Sequence, residues 1–249
     1  MRYFKYARNR RWTTAFIYVS ALQICMHAGA YAFDNPDEHA AIVKEALYDK
    51  LCPGNLALLQ KSAAYTEGAL ELEPRKHCLD PQLAKSQAYV EREEKMAMNY
   101  AGDADSNVKD RERALFHLGQ AMHTTQDFYC RSNYVELLAA DAEAKHGSID
   151  PYNAPLIEWS HVGDNPRLDA GRKELDKCSA EGEGGKMNGE KTFHYIAHSL
   201  AVRETERRFN QFEALVRRKW GTRATAILTA FKEASCPDVD LKSLSDDVP

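Results

Sequence analysis

Apolar residues recur at helical spacing along most of the chain, and no segment alternates as a strand would. Ile42, Val43, Ala46 and Leu47 form one stripe. Asn35 or Asp37 can cap this segment, which predicts a helix to about Leu51. Pro53-Gly54 breaks it, and a second helix is expected from about Asn55 to Tyr65. Asp80 followed by Pro81 marks the start of a third, running to about Tyr100. The charged run Glu91 to Lys95 on that helix reads as a solvated face. A polar loop over 103–110 leads into Ala114 to Leu138, where Leu115, Leu118, Met122 and Phe128 keep near-helical spacing. A further helix is expected over Asn133 to Lys145. Residues 146–190 lose the period among Gly147, Pro151, Pro155, Gly163, Pro166 and the run Glu181 to Gly185. They read as a long insertion, either a lid or binding loop or a disordered excursion. Periodicity returns from Lys191 to Trp220, and a last helix is expected from about Thr222 to Ala234. The pattern predicts an all-α fold: one domain, a multi-helix bundle without internal repeats.

The first 32 residues read differently. Arg2, Lys5, Arg8, Arg10 and Arg11 precede an apolar stretch from Thr13 to Met26, and Ala30-Tyr31-Ala32 is a small-x-small cleavage signal. Residues 1–32 are therefore expected to be a signal peptide, with the apolar run short for a membrane span. The mature domain would be 33–249, secreted or periplasmic. A leader holding five of the 33 basic residues and none of the 37 acidic ones leaves a mature charge of −9. Such a chain is not expected to coat nucleic acid by bulk electrostatics. Cys52, Cys78, Cys130, Cys178 and Cys236 would remain, and export permits disulfides. The expected pairings are Cys52–Cys78 and Cys178–Cys236, although spacing alone does not set connectivity. Cys130 reads as a small buried residue or a thiolate ligand.

Candidate chemistry centres on His123-x3-Asp127. One helical turn apart, the imidazole and the carboxylate lie on one face and can hold the same ion or adjacent ions. A buried His hydrogen-bonded to an Asp is the structural alternative. Gly119 and Ala121 would let a second segment come close.

This stretch, ALFHLGQAMHTTQDFYCRSNYVELL, resembles the signature of the zinc-dependent phospholipase C superfamily, and most of all its heterokaryon-incompatibility (Het-C-like) branch. The branch usually has His where this chain has Arg131. Arg stays protonated and cannot ligate zinc. Three other segments also resemble ligand segments of the superfamily. Cleavage after Ala32 would place the Phe33 amine and carbonyl, with His39, where family members chelate zinc. Gly68-Ala69-x3-Glu73 followed by His77-x2-Asp80-Pro81 matches a carboxylate and a His, with Glu71 a competing carboxylate. The segment from His194 offers His194 and His198 for a third zinc, with His161 a possible substitute from the insertion. His117 reads as a core or supporting His, and His146 as a loop residue.

The resemblance implies two zinc ions. Phe33, His39 and one Asp127 oxygen would hold the first. Glu73, His77, His123 and the other Asp127 oxygen would hold the second, and a third ion is less complete. Asp127 would bridge the ions that activate water, and Arg131 would hold a substrate phosphate. The implied function is a secreted zinc-dependent phosphodiester hydrolase, phospholipase C-like. Its substrate would be a phospholipid head group or another phosphodiester, met in transient contact with a membrane surface and without stable nucleic-acid binding. Two alternatives stay open. One is a single-strand nuclease, with Tyr129, Tyr134, Tyr152 and Trp159 as stacking candidates. The other is a non-catalytic, metal-stabilised interaction or toxin-accessory protein.

Overall fold

The computed structural model describes residues 36–69, 73–79, 83–172, 175–234 and 238–244. The expected signal peptide, Phe33, Glu71, Asp80-Pro81 and Cys236 lie outside them. The described helices are α1 (Pro36–Leu47), α2 (Pro53–Ala69), α3 (Leu83–Ala101), α4 (Val108–Arg131), α5 (Tyr134–Glu143), α6 (Phe193–Trp220) and α7 (Ala224–Glu233). The all-α expectation holds. Pro53 opens α2 rather than ending the preceding element, since a proline at the first helical position gives up an N–H that has no helical partner anyway. A two-residue antiparallel ribbon, β1 (Met187–Asn188) with β2 (Lys191–Thr192), was not legible as strand and leads directly into α6.

The bundle is built around α4. Asn107 caps it by accepting from the Lys109 and Asp110 amides at 3.0 and 3.4 Å. Every residue from Ala114 to Cys130 is buried, because α2, α3 and α6 pack around the helix. Helix α1 closes the assembly against α2 and α6. Apolar burial falls into two clusters. One joins Leu47, Leu59, Leu115, Phe212, Ile227 and Phe231. The other joins Ile42, Val90, Phe128, Trp159, Ile196 and Leu200.

Gly119 sets the spacing of α2 on α4. A Cβ there would lie 2.5 Å from Ser62 Cβ, 3.0 Å from Ala63 N and 3.1 Å from Leu59 O. Only glycine allows this approach, and it brings the Ala63 carbonyl within reach of His123.

Three expectations are corrected by the packing. Glu93 and Glu94 are not a solvated face. Glu93 is buried and takes a hydrogen bond from His117 Nδ1 at 2.7 Å, and Glu94 pairs with the buried Arg208 of α6. A buried charge needs such partners, and the neighbouring helices supply them. The 146–190 stretch is no loose excursion, since Ile149, Ile157, Trp159, Val162 and Cys178 are buried in the second cluster. The disulfide joins Cys130 to Cys178, while Cys52 and Cys78 are free thiols, so neither expected pairing forms. Cys130 is therefore a disulfide partner and not a thiolate ligand.

The disulfide fastens a strap to the end of α4. Lys177 N donates to Cys130 O at 2.8 Å and Gly171 N donates to Arg131 O at 3.0 Å. The Lys177 ammonium is buried among Ser132 O, Leu175 O and Glu136 Oε1 at 2.6, 2.5 and 2.9 Å. Gly171, at φ 74°, crosses the Leu79 backbone so closely that any Cβ would overlap it. The strap thus touches both the end of α4 and the turn that follows His77.

Candidate metal site

Four side chains from three parts of the chain meet at one buried point. Helix α4 supplies His123 and Asp127, with His123 Nε2 3.2 Å from Asp127 Oδ2. Helix α1 supplies His39, whose Nε2 lies 3.4 Å from Asp127 Oδ1. The turn after Pro74–Lys76 supplies His77, whose Nδ1 lies 3.1 Å from Asp127 Oδ2 and 3.1 Å from His123 Nε2. The two carboxylate oxygens thus face different histidines, His39 on one side and His77 with His123 on the other. Arg131 Nε stands 3.5 Å from Oδ1.

Hydrogen bonds away from this point set the ring orientations. His123 Nδ1 donates to Ala63 O at 2.8 Å, which leaves its Nε2 lone pair facing Asp127 and His77. His39 Nδ1 donates to Gln126 Oε1 at 2.7 Å, and Gln126 Nε2 donates to Thr205 Oγ1 at 2.9 Å. Burial would raise the Asp127 carboxyl, but Arg131, His123 and His77 outweigh it and hold the carboxyl well below the usual range. Burial pushes His123 down to about 4, and His39 adds to this against the opposing pull of Asp127. At neutral pH the centre therefore holds a carboxylate and a neutral His123 imidazole, the donor forms a metal cation needs.

The residues fit an ion. His39, His123 and Asp127 each offer a donor atom within 4.8 Å of the others, and all three are buried, so the group can hold a metal ion. Asp127 Oδ1 is buried and accepts no hydrogen bond among the described residues. His77 Nδ1, His123 Nε2 and Asp127 Oδ2 make a triangle with edges of 3.1, 3.1 and 3.2 Å. Ligands on a tetrahedral zinc, with bonds near ~2.1 Å, stand about 3.4 Å apart. Nitrogen and oxygen donors suit zinc among other divalent ions.

The remaining expected ligands lie elsewhere or are otherwise engaged. Glu73 is held by Arg75 at 2.8 Å and Lys76 at 2.9 Å. Burial raises its carboxyl, and these two cations more than reverse that. His194 Nδ1 donates to Lys177 O at 3.0 Å. His198 sits between Glu38 and Glu45 of α1, at 2.5 and 3.1 Å. Neither belongs to the group of buried donors that could hold an ion among the described residues. His161 and His146 are exposed, and His117 is a core His paired with Glu93 and stacked on Tyr100. Cys78 is buried beside Asp127, and burial followed by that charge pushes its thiol far up, which keeps it inert.

Sequence reasoning missed Gln126, Thr205 and the Ala63 carbonyl. Gln126 sits next to Asp127 in the motif, which was the available signal. A backbone carbonyl and a threonine 79 positions away gave none. No family model matches the chain, and no curated protein or solved structure matches it either.

Proposed function

We propose that the protein is an exported zinc-dependent phosphodiester hydrolase, phospholipase C-like, acting on a phospholipid head group or a similar phosphodiester. One observation carries the reading: three histidines surround a single buried carboxylate, with a guanidinium 3.5 Å from that carboxylate. Asp127, His39, His77 and His123 would hold zinc. The bound ion would supply a Lewis acid and lower the pKa of water it coordinates. Arg131, the only one of the five with appreciable exposure, at 13%, is suited to orienting a phosphate oxygen with its forked donors. The leader-like N-terminus and the Cys130–Cys178 disulfide support export.

Complete burial of His39, His123 and Asp127 favours a second reading, in which the ion serves folding and the protein is a non-catalytic interaction partner. Elemental analysis of protein beginning at Phe33, assayed on phosphatidylcholine vesicles and single-stranded DNA, separates the readings. The proposal expects bound zinc, chelator-sensitive release of the head group, and a loss of about 10²-fold or more in turnover for Arg131→Ala. Hydrolysis of the DNA instead selects the nuclease alternative. Zinc without hydrolysis of either substrate selects the non-catalytic reading. Absence of any bound metal ends both metal readings.

A further inference from the structure

We infer that Gln126 and Thr205 are positioning residues that fix the tautomer of His39, so that its Nε2 lone pair points to the ion site. The inference rests on the metal reading above for its purpose, though not for its geometry. His39 has two ring nitrogens, and only the one without a proton can ligate. The ring is buried, so its tautomer is decided by which nitrogen has the closer acceptor: Nε2 faces Asp127 Oδ1 at 3.4 Å, while the other nitrogen has a nearer one. It meets Gln126 Oε1 at 2.7 Å, an atom that can only accept, so the proton resides on Nδ1.

An amide is ambiguous in this role, because a half-turn would present its NH2 group to His39 and drive the proton to Nε2. Thr205 Oγ1, at 2.9 Å from Gln126 Nε2, holds the far side of the amide in the orientation the structure shows, with the carbonyl toward His39. All three side chains are fully buried, so water does not compete for either bond. The relay crosses three helices, from α6 through α4 to α1. It parallels the Ala63 carbonyl on His123 Nδ1, so two ligands are oriented by independent devices. Groups that orient a metal-bound His in this way typically change affinity 10- to 100-fold when lost.

The test uses the full mature chain. Side-chain 15N NMR of His39 in metal-free protein reads the tautomer, and competition with a chromophoric chelator reads zinc affinity. Wild type should show Nδ1–H. Thr205→Val keeps the shape and removes the acceptor. It should populate Nε2–H and weaken zinc about 10-fold or more, while Thr205→Ser stays as wild type. Gln126→Glu can only accept, so Thr205→Val combined with Gln126→Glu should return to wild-type affinity or tighter. A merely structural pair would not be rescued by a buried charge.

An Nε2–H tautomer in wild type overturns the inference. So does Thr205→Val with unchanged tautomer and affinity. If Thr205→Val fails to fold by circular dichroism, Gln126→Glu alone decides: equal or tighter zinc supports the relay, and weaker zinc overturns it. Nδ1–H in wild type that shifts in Thr205→Val, with no zinc bound by either, supports the relay and refutes the metal reading.

Discussion

Replacing Gly119 by alanine tests whether helix packing sets the geometry of the ligands. Alanine is the better helix former by about 1 kcal/mol, so on α4 alone the change would stabilise. The new Cβ would stand 2.5 Å from Ser62 Cβ and 3.0 to 3.1 Å from backbone atoms of α2. Carbon atoms rest at about 3.5–4.0 Å, and a helix backbone cannot rotate out of the way as a side chain can. Helix α2 must therefore withdraw by about 1 Å. Overpacking of this kind costs about 1–3 kcal/mol, which after the helix-propensity gain leaves a net loss of up to about 2 kcal/mol. For a domain of this size that is a melting temperature lower by up to about 8 °C. The same withdrawal carries Ala63 O from 2.8 Å to about 3.8 Å from His123 Nδ1, beyond hydrogen-bond range. Zinc affinity should fall about 10-fold as His123 loses its anchor. Thermal melts and chelator competition measure the two effects, with Gly147→Ala as control, since a Cβ there meets only Ala142 O at 3.7 Å. A Gly119→Ala protein as stable as wild type, with unchanged zinc affinity, would refute the reasoning.

Asp127→Asn removes the charge that faces all three histidines and should abolish metal binding by elemental analysis; retained zinc would show that the ion sits elsewhere. Cys130→Ser opens a loop spanning 48 positions, and the chain-entropy model puts the loss at about 4 kcal/mol. Urea unfolding with and without reductant measures it, and a wild type indifferent to reductant would contradict the linkage. Burial alone would lower the His198 pKa, but the hydrogen bonds and charges of Glu38 and Glu45 outweigh it and raise the value above the ordinary one. A raised folded-state pKa stabilises fully below the unfolded value and loses that contribution as pH rises through the folded value. The stability advantage of wild type over His198→Gln should therefore shrink from mildly acidic to alkaline pH, and a pH-independent difference in urea midpoints would exclude the pairing.

Helix positions and the turn-spaced His123–Asp127 pair were legible because both follow from period alone. Gly119 was legible as a point of close approach for the same reason: a small residue on an otherwise apolar helix face has few other uses. The Glu91–Lys95 run misled because charge pattern on one helix says nothing of what the next helix presents. Here α4 presents His117 and α6 presents Arg208. The disulfide was misread because pairing depends on how the 146–190 stretch returns to α4, and no local pattern encodes that path. His194 and His198 have ligand spacing, yet Lys177 O engages the first from the irregular stretch 17 positions before it, and the α1 glutamates engage the second from more than 150 positions away.

The relay from Thr205 to His39 also bears on when the centre forms during folding. Gln126 is 87 positions from His39, and Thr205 is another 79 along. His123 and Asp127 become neighbours as soon as one helical turn closes, a local event. The proton on His39 is fixed only after α1, α4 and α6 have all docked, which requires closing two long loops. A chain ending short of Thr205, whether nascent or cut by a protease, would carry the paired half of the centre without an oriented His39. Completion of the candidate ion site is in this sense a late report that the whole bundle has assembled.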